Sequence, residues 1–254
     1  MPVARKRAAA EVYVYPMDER PWQDLPRKGV KEKAIRREAD TGRYLGLVSF
    51  EPLTRSGLHQ HHGTAISYFL AGSLSDYQGT ASMGMAGINL AGATHDAMTW
   101  SGCLLAARLE GPVVVPDPAS AAHPTVSKSG IVNPYPERWP EINVPVEPLT
   151  IAPTSFVRVG RRMVFDYAPT TDDRRCVALT LMPHAPAFTV KHSALTEWFV
   201  LAGDVAINRQ NATVNSFVVI EPGAETTIST QYGCLLLAWA EGPASAEGGE
   251  LYGF

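Results

Sequence analysis

His59-Gln60-His61-His62-Gly63-Thr64, followed by Phe69-Leu70-Ala71-Gly72, returns 131 residues later as Val190-Lys191-His192-Ser193-Ala194-Leu195, followed by Val200-Leu201-Ala202-Gly203. The same shift carries Gly92-Ala93-Thr94-His95 onto Gly223-Ala224-Glu225-Thr226, and Glu110-Gly111-Pro112 onto Glu241-Gly242-Pro243. From 101 to 112, 8 of 12 positions are identical, where unrelated sequence gives about one. The sequence is a duplicated domain. One copy holds three histidines where the other keeps one, and that asymmetry points to the first copy as the chemical one.

The length of 254 residues suits two domains of roughly 100 residues each. The copies are expected at about 12–115 and 143–246, with a Pro-rich linker at 116–142. That stretch includes Asn133-Pro-Tyr-Pro-Glu-Arg-Trp-Pro, and Trp139 is expected to anchor it to a surface. A net charge of −3 implies no nucleic-acid surface. The basic start, Met1-Pro-Val-Ala-Arg-Lys-Arg, lacks the apolar core of a signal peptide. No apolar run approaches the ~18 residues of a membrane span. No membrane partner and a cytoplasmic location are the expectations. Three cysteines are too few for a disulfide framework, and Cys103 and Cys234 read as small buried residues.

Strand signals dominate. Short β-rich runs bounded by Gly, Pro, Asn or Asp cover 44–50, 67–74, 103–109, 176–181, 198–207, 217–220 and 234–240. Gly72 is read as closing its strand. Residues 29–38 suit a short helix or, equally, a polar strand. Many short strands with 20 prolines and 21 glycines predict an all-β sandwich or barrel. The Gly-, Ser- and Glu-rich tail after Pro243 is expected to be mobile as far as Leu251.

Alternate side chains on a strand share a face, so His59 and His61 point together while Gln60 and His62 point away. Two inward imidazoles can hold one metal ion, and a third ligand must come from another strand. His95, after its Gly-Ala-Thr turn, suits that role. Neutral imidazole suits Zn, Fe, Cu and Ni.

These blocks resemble the two cupin motifs: Gly, His-x-His, Glu and Gly in the first, a Pro/Gly turn and then His in the second. The segments Asp40-Thr-Gly-Arg-Tyr-Leu-Gly-Leu-Val-Ser-Phe and Gly102-Cys-Leu-Leu are similar to the cupin domain of zinc-binding anti-sigma factors and of acetylacetone-dioxygenase-like proteins. The resemblance implies two tandem double-stranded β-helix, or jelly-roll, domains, with His59, His61 and His95 as metal ligands. The usual glutamate slot falls at Ala65 or Ile66, and neither binds metal. Three histidines without the glutamate are the pattern of the diketone- and 2,4'-dihydroxyacetophenone-cleaving cupin dioxygenases, which implies iron(II). One divalent ion per chain is expected, with iron(II) first and zinc, nickel or manganese as alternatives.

Three neutral histidines leave the ion its full double charge, which favours an anionic chelate such as an enolate. No general base is evident, and the catalytic residues remain open. Tyr68, Met83 and Trp100 are candidates for the pocket of a small-molecule substrate, with Met85 beside Met83. In the second copy Val190 and Thr226 replace two histidines, so His192, with Glu197 near the glutamate slot, is expected to be metal-free. His184 is a substitute ligand of last resort. Glu110, Glu241, Arg43 and Arg174 recur in both copies and read as scaffold. A homodimer is expected, because cupin sheets leave apolar faces and edges to cover. The competing functions are an iron(II) dioxygenase, a zinc-binding sensor or ligand-binding module, and a metal-assisted isomerase or lyase.

Overall fold

The computed structural model describes residues 11–76, 78–116, 141–167 and 174–254. The expected linker lies almost wholly outside them, and Trp139 with it. Among the described residues every regular element is a strand. No helix there is long and apolar enough to cross a membrane. The fold is the all-β jelly roll. Residues Val30–Arg37, ambiguous in sequence, form a strand along Tyr44–Phe50. The ladder of a β-rich neighbour settles what a polar run leaves undecided.

The chain divides into two compact units, Glu19–Leu149 and Met1–Asp18 with Thr150–Phe254. In the first unit, Cys103–Leu109 is the central strand, flanked by Tyr44–Phe50 and by the 12-residue strand Ala65–Asp76. A smaller sheet joins Val113–Val114, His59–His61 and Thr94–His95. The second unit repeats the scheme, with Cys234–Ala240 between Arg175–Leu181 and Thr196–Ile207. Its core is a continuous cluster of buried Val, Leu and Ile around Trp198 and Tyr252.

The duplication extends to irregularities. Cys103 pairs with Gly72, Leu104 with Ala71 and Leu105 with Phe69, so a bulge falls between Leu104 and Leu105. Cys234, Leu235 and Leu236 pair with Gly203, Ala202 and Val200 in the same broken register. Gly72 (φ +66°) and Gly203 (φ +75°) permit this, since a Cβ would lie 1.9 Å and 2.0 Å from the carbonyl oxygens of Gly102 and Gly233. Gly72, expected from sequence to close its strand, does not. It bends the strand, which runs on to Asp76. A bulge re-aims a strand without ending its pairing.

The units are drawn differently from the sequence copies at their first strands. Val12–Pro16 pairs with Ser216–Ile220, in the unit of the second copy. Glu141–Pro145 pairs with Met85–Asn89, in the unit of the first. The tail after Pro243, expected to be mobile, forms the hairpin Ala244–Ala246 and Gly249–Glu250. It ends with Leu251 and Tyr252 fully buried in the second unit's core.

Candidate metal centre

The His59–His61 strand is short and two-faced. Register sets His59 directly opposite His95, and Gln60 opposite Thr94. Gln60 donates from Nε2 to Thr94 Oγ1 at 2.8 Å on the far face. The Gly92 turn fixes the backbone of His61: its N–H donates to the Ala93 carbonyl at 2.9 Å, and its carbonyl accepts from the Gly92 N–H at 2.7 Å. His192 has the same two bonds, to Ala224 and from Gly223. The Gly turn in each copy therefore clamps a histidine one strand away.

The three rings converge. Centroids lie 5.0 Å apart for His59–His61, 4.4 Å for His59–His95 and 5.3 Å for His61–His95. One ring nitrogen from each falls within 4.8 Å of the others. Burial and the neighbouring His95 hold the His59 pKa down at about 4. Burial, then the charges of His59 and His95, holds His61 well below the ordinary value. Both are therefore neutral at physiological pH, the form that binds metal.

Tautomers follow from the partners. His59 Nδ1–H donates to the Gly57 carbonyl at 2.7 Å, which leaves Nε2 with its lone pair. His95 Nδ1 lies 3.0 Å from Asp76 Oδ2. Burial alone would raise the Asp76 carboxyl, but hydrogen bonds from His95 and the Gln78 amide outweigh it and keep the carboxyl below its usual value. An ionised carboxylate can only accept, so His95 Nδ1 carries the proton and Nε2 is free. This is the carboxylate–histidine arrangement that orients a metal ligand. His95 Nε2 faces His61 Nε2 at 3.2 Å, a separation that a proton or a cation must bridge. Two nitrogens bound to one ion at ~2.1 Å stand roughly 3.0–3.4 Å apart between octahedral and tetrahedral angles. The residues fit a divalent ion. Asp76→Asn weakens this support, so metal affinity is expected to fall about tenfold with the fold retained. Chelator competition followed beside circular dichroism checks it.

The histidines stand in a cavity of about 130 Å³. Phe50, Phe69, Leu74 and Leu105 give it apolar walls, and Ser67, Asp76, Asn89, Glu141 and Asn143 give polar ones. Sequence reasoning missed Asp76 and Glu141. Glu141 Oε1 lies 3.7 Å from His95 Nδ1, so both acids sit on the side of that ring away from His61. The three expected pocket residues are not among its lining. Strand alternation sends Ser67 and Phe69 inward and Tyr68 to the opposite face. Met83 and Trp100 are 70% and 65% exposed. His62 is exposed, as expected. Of the two expected positions for the glutamate slot, Ala65 shares the face of Ser67 and Ile66 faces away. Glu110 is held by an ion pair with buried Arg108, which suits the scaffold reading.

The second unit has no such centre among its described residues. His192 is fully buried, with Nε2 2.9 Å from Thr226 Oγ1 and Nδ1 3.3 Å from Thr196 Oγ1. Glu197 lies on the opposite face of its strand from Thr196 and Trp198, so it does not join His192. His184 sits exposed in a left-handed turn (φ +55°). Burial lowers the His192 pKa from 6.5 to about 4. A depressed pKa gives stability that is complete above about 6.5 and lost as pH falls through about 4. Between pH 7 and 4.5 this is worth on the order of 2–3 kcal/mol. His192→Gln should therefore lose less stability than wild type over that interval, as read from urea unfolding at the two pH values. Equal losses would contradict it.

Residues 10–112 match the family model of the ChrR cupin-like domain. No curated protein matches the sequence. Among solved structures, the chain is similar to a protein of Nostoc punctiforme named as a candidate dioxygenase, with TM-score 0.75 and 11% identity over 96% of this chain and 87% of that one. It is similar to the bacterial pirin YhhW of Escherichia coli, solved in complex with nickel(II), with TM-score 0.60 and 12% identity over 91% and 98%. A variant of oxalate decarboxylase from Bacillus subtilis gives TM-score 0.60 and 11% identity over 95% and 80%. At such identities the structural likeness speaks for the fold alone. The match over residues 10–112 speaks for a cupin-like domain in that part of the chain.

Proposed function

We propose that the chain is a mononuclear metal-dependent oxygenase, with iron(II) as its ion and a small diketone or hydroxyketone as its substrate. The observation that carries this is the convergence of three imidazoles on one cavity, with Gly57 and Asp76 setting which nitrogen of His59 and His95 is left for a metal. Bound there, iron(II) supplies a Lewis acid for substrate oxygens and an electron source for O₂. The protein supplies the rest. Phe50, Phe69, Leu74 and Leu105 exclude water, and Asp76 holds His95 in its ligating tautomer. The proposal includes a homodimer, which light scattering tests.

A second reading is favoured by one finding, the match to the ChrR cupin-like domain. On it the same histidines hold zinc in a ligand-binding module without O₂ chemistry. Metal analysis of protein purified anaerobically, followed by O₂ uptake with β-diketones and hydroxyketones, separates the two. Iron with substrate-dependent O₂ uptake supports the oxygenase. Tightly held zinc, and no uptake after iron loading, overturns it.

A further inference from the structure

The cavity wall formed by Glu141 and Asn143 is not built by the copy that carries the histidines. These residues lie on the strand Glu141–Pro145, which by sequence runs from the end of the linker into the second copy, and their i, i+2 spacing gives them one face. Register sets Glu141 opposite Asn89 and Asn143 opposite Gly87, and all four line the cavity. Glu141 is buried, and Asn143 stands at the exposed rim. The matching positions in the second unit are Val12, Val14, Ile220 and Val218, in the same antiparallel pairing. Ile220 and Val218 belong to that unit's apolar core, and Val12 and Val14 pack against it. The same fold thus closes with aliphatic side chains where packing is the only demand. A glutamate, two asparagines and a glycine in their place call for another reason.

We propose that Glu141 and Asn143 recognise the substrate of the candidate metal centre, and that this substrate is a compact hydroxyketone. The proposal rests on the reading of the three histidines as a metal site and narrows it. Size comes from the cavity: about 130 Å³ compares with the ~150 Å³ engineered cavity that takes benzene, so the ligand has on the order of six non-hydrogen atoms. Hydrogen bonding comes from the wall. The Glu141 carboxyl can accept from a hydroxyl, and the Asn143 amide can donate to a carbonyl.

The test uses the full chain loaded with nickel(II), with ligand affinity from calorimetry and nickel content from elemental analysis. The probes are hydroxyacetone, acetylacetone and 2-hydroxyacetophenone. Hydroxyacetone should bind more tightly than acetylacetone, and the phenyl ketone should not enter. Glu141→Gln and Asn143→Ala should each weaken hydroxyacetone about tenfold with nickel content unchanged. Asn143→Ala, at the rim, carries the least risk to folding. Gly87→Val, whose Cβ would lie 3.2 Å from the Phe69 ring, should block both small probes and leave nickel in place. Nickel-loaded variants with hydroxyacetone affinity within about twofold of wild type would overturn the assignment alone. So would a wild type that prefers acetylacetone. A wild type that takes up no nickel would overturn the metal reading, and this assignment with it.

Discussion

Alanine in place of His59, His61 or His95 is expected to lower metal affinity at least about 100-fold, the upper end of what losing an outer hydrogen-bond partner costs. Each ring supplies one nitrogen to a cluster spanning 4.8 Å, and two imidazoles hold a divalent ion poorly against water. His61 should be the most sensitive. It is buried, and its Nε2 already faces His95 Nε2 at 3.2 Å. His192→Ala should leave occupancy unchanged, because both nitrogens of His192 lie within hydrogen-bond distance of threonine hydroxyls. Elemental analysis of the four variants decides it. Two equivalents of metal in wild type, half lost in His192→Ala, would show that the second copy holds a real site.

The histidine cluster was legible because two local rules act together. Period-two alternation puts His59 and His61 on one face, and a glycine turn delivers His95 to the register position opposite His59. The acids were not legible, for different reasons. Asp76 reaches His95 only because the strand bends at Gly72 and continues, and a glycine in a strand pattern reads equally well as an end or a bulge. Glu141 arrives from beyond a Pro-rich stretch of unpredictable path. No spacing links it to His95 in the sequence. Both acids stand at His95 Nδ1, behind the ring and away from His61.

The pocket residues fail differently. Tyr68, Met83 and Trp100 stood out as large side chains near the motif, but a cavity is made by small ones. A usable signal was present in the alignment of the two copies. Ser67 matches Trp198, Gly87 matches Val218 and Asn89 matches Ile220. Where paired positions differ most in volume, one barrel has kept space that the other has filled.

Trp198→Ala tests that view from the filled side. Trp198 is fully buried and occupies the position of cavity-lining Ser67. Its Nε1–H donates to the Tyr252 hydroxyl at 2.9 Å, and Tyr252 follows the C-terminal hairpin. Truncation removes the indole and its hydrogen bond to the Tyr252 hydroxyl, so a loss of about 3–5 kcal/mol is expected. Denaturant unfolding measures it. The converse change, Ser67→Trp, puts an indole into about 130 Å³ of space. It should abolish ligand binding and cost far less stability, because it fills a void rather than opening one. If the two substitutions destabilise equally, the first barrel's cavity is as tightly packed as the second barrel's core. The division of the duplicated fold into one open and one filled barrel would then fail.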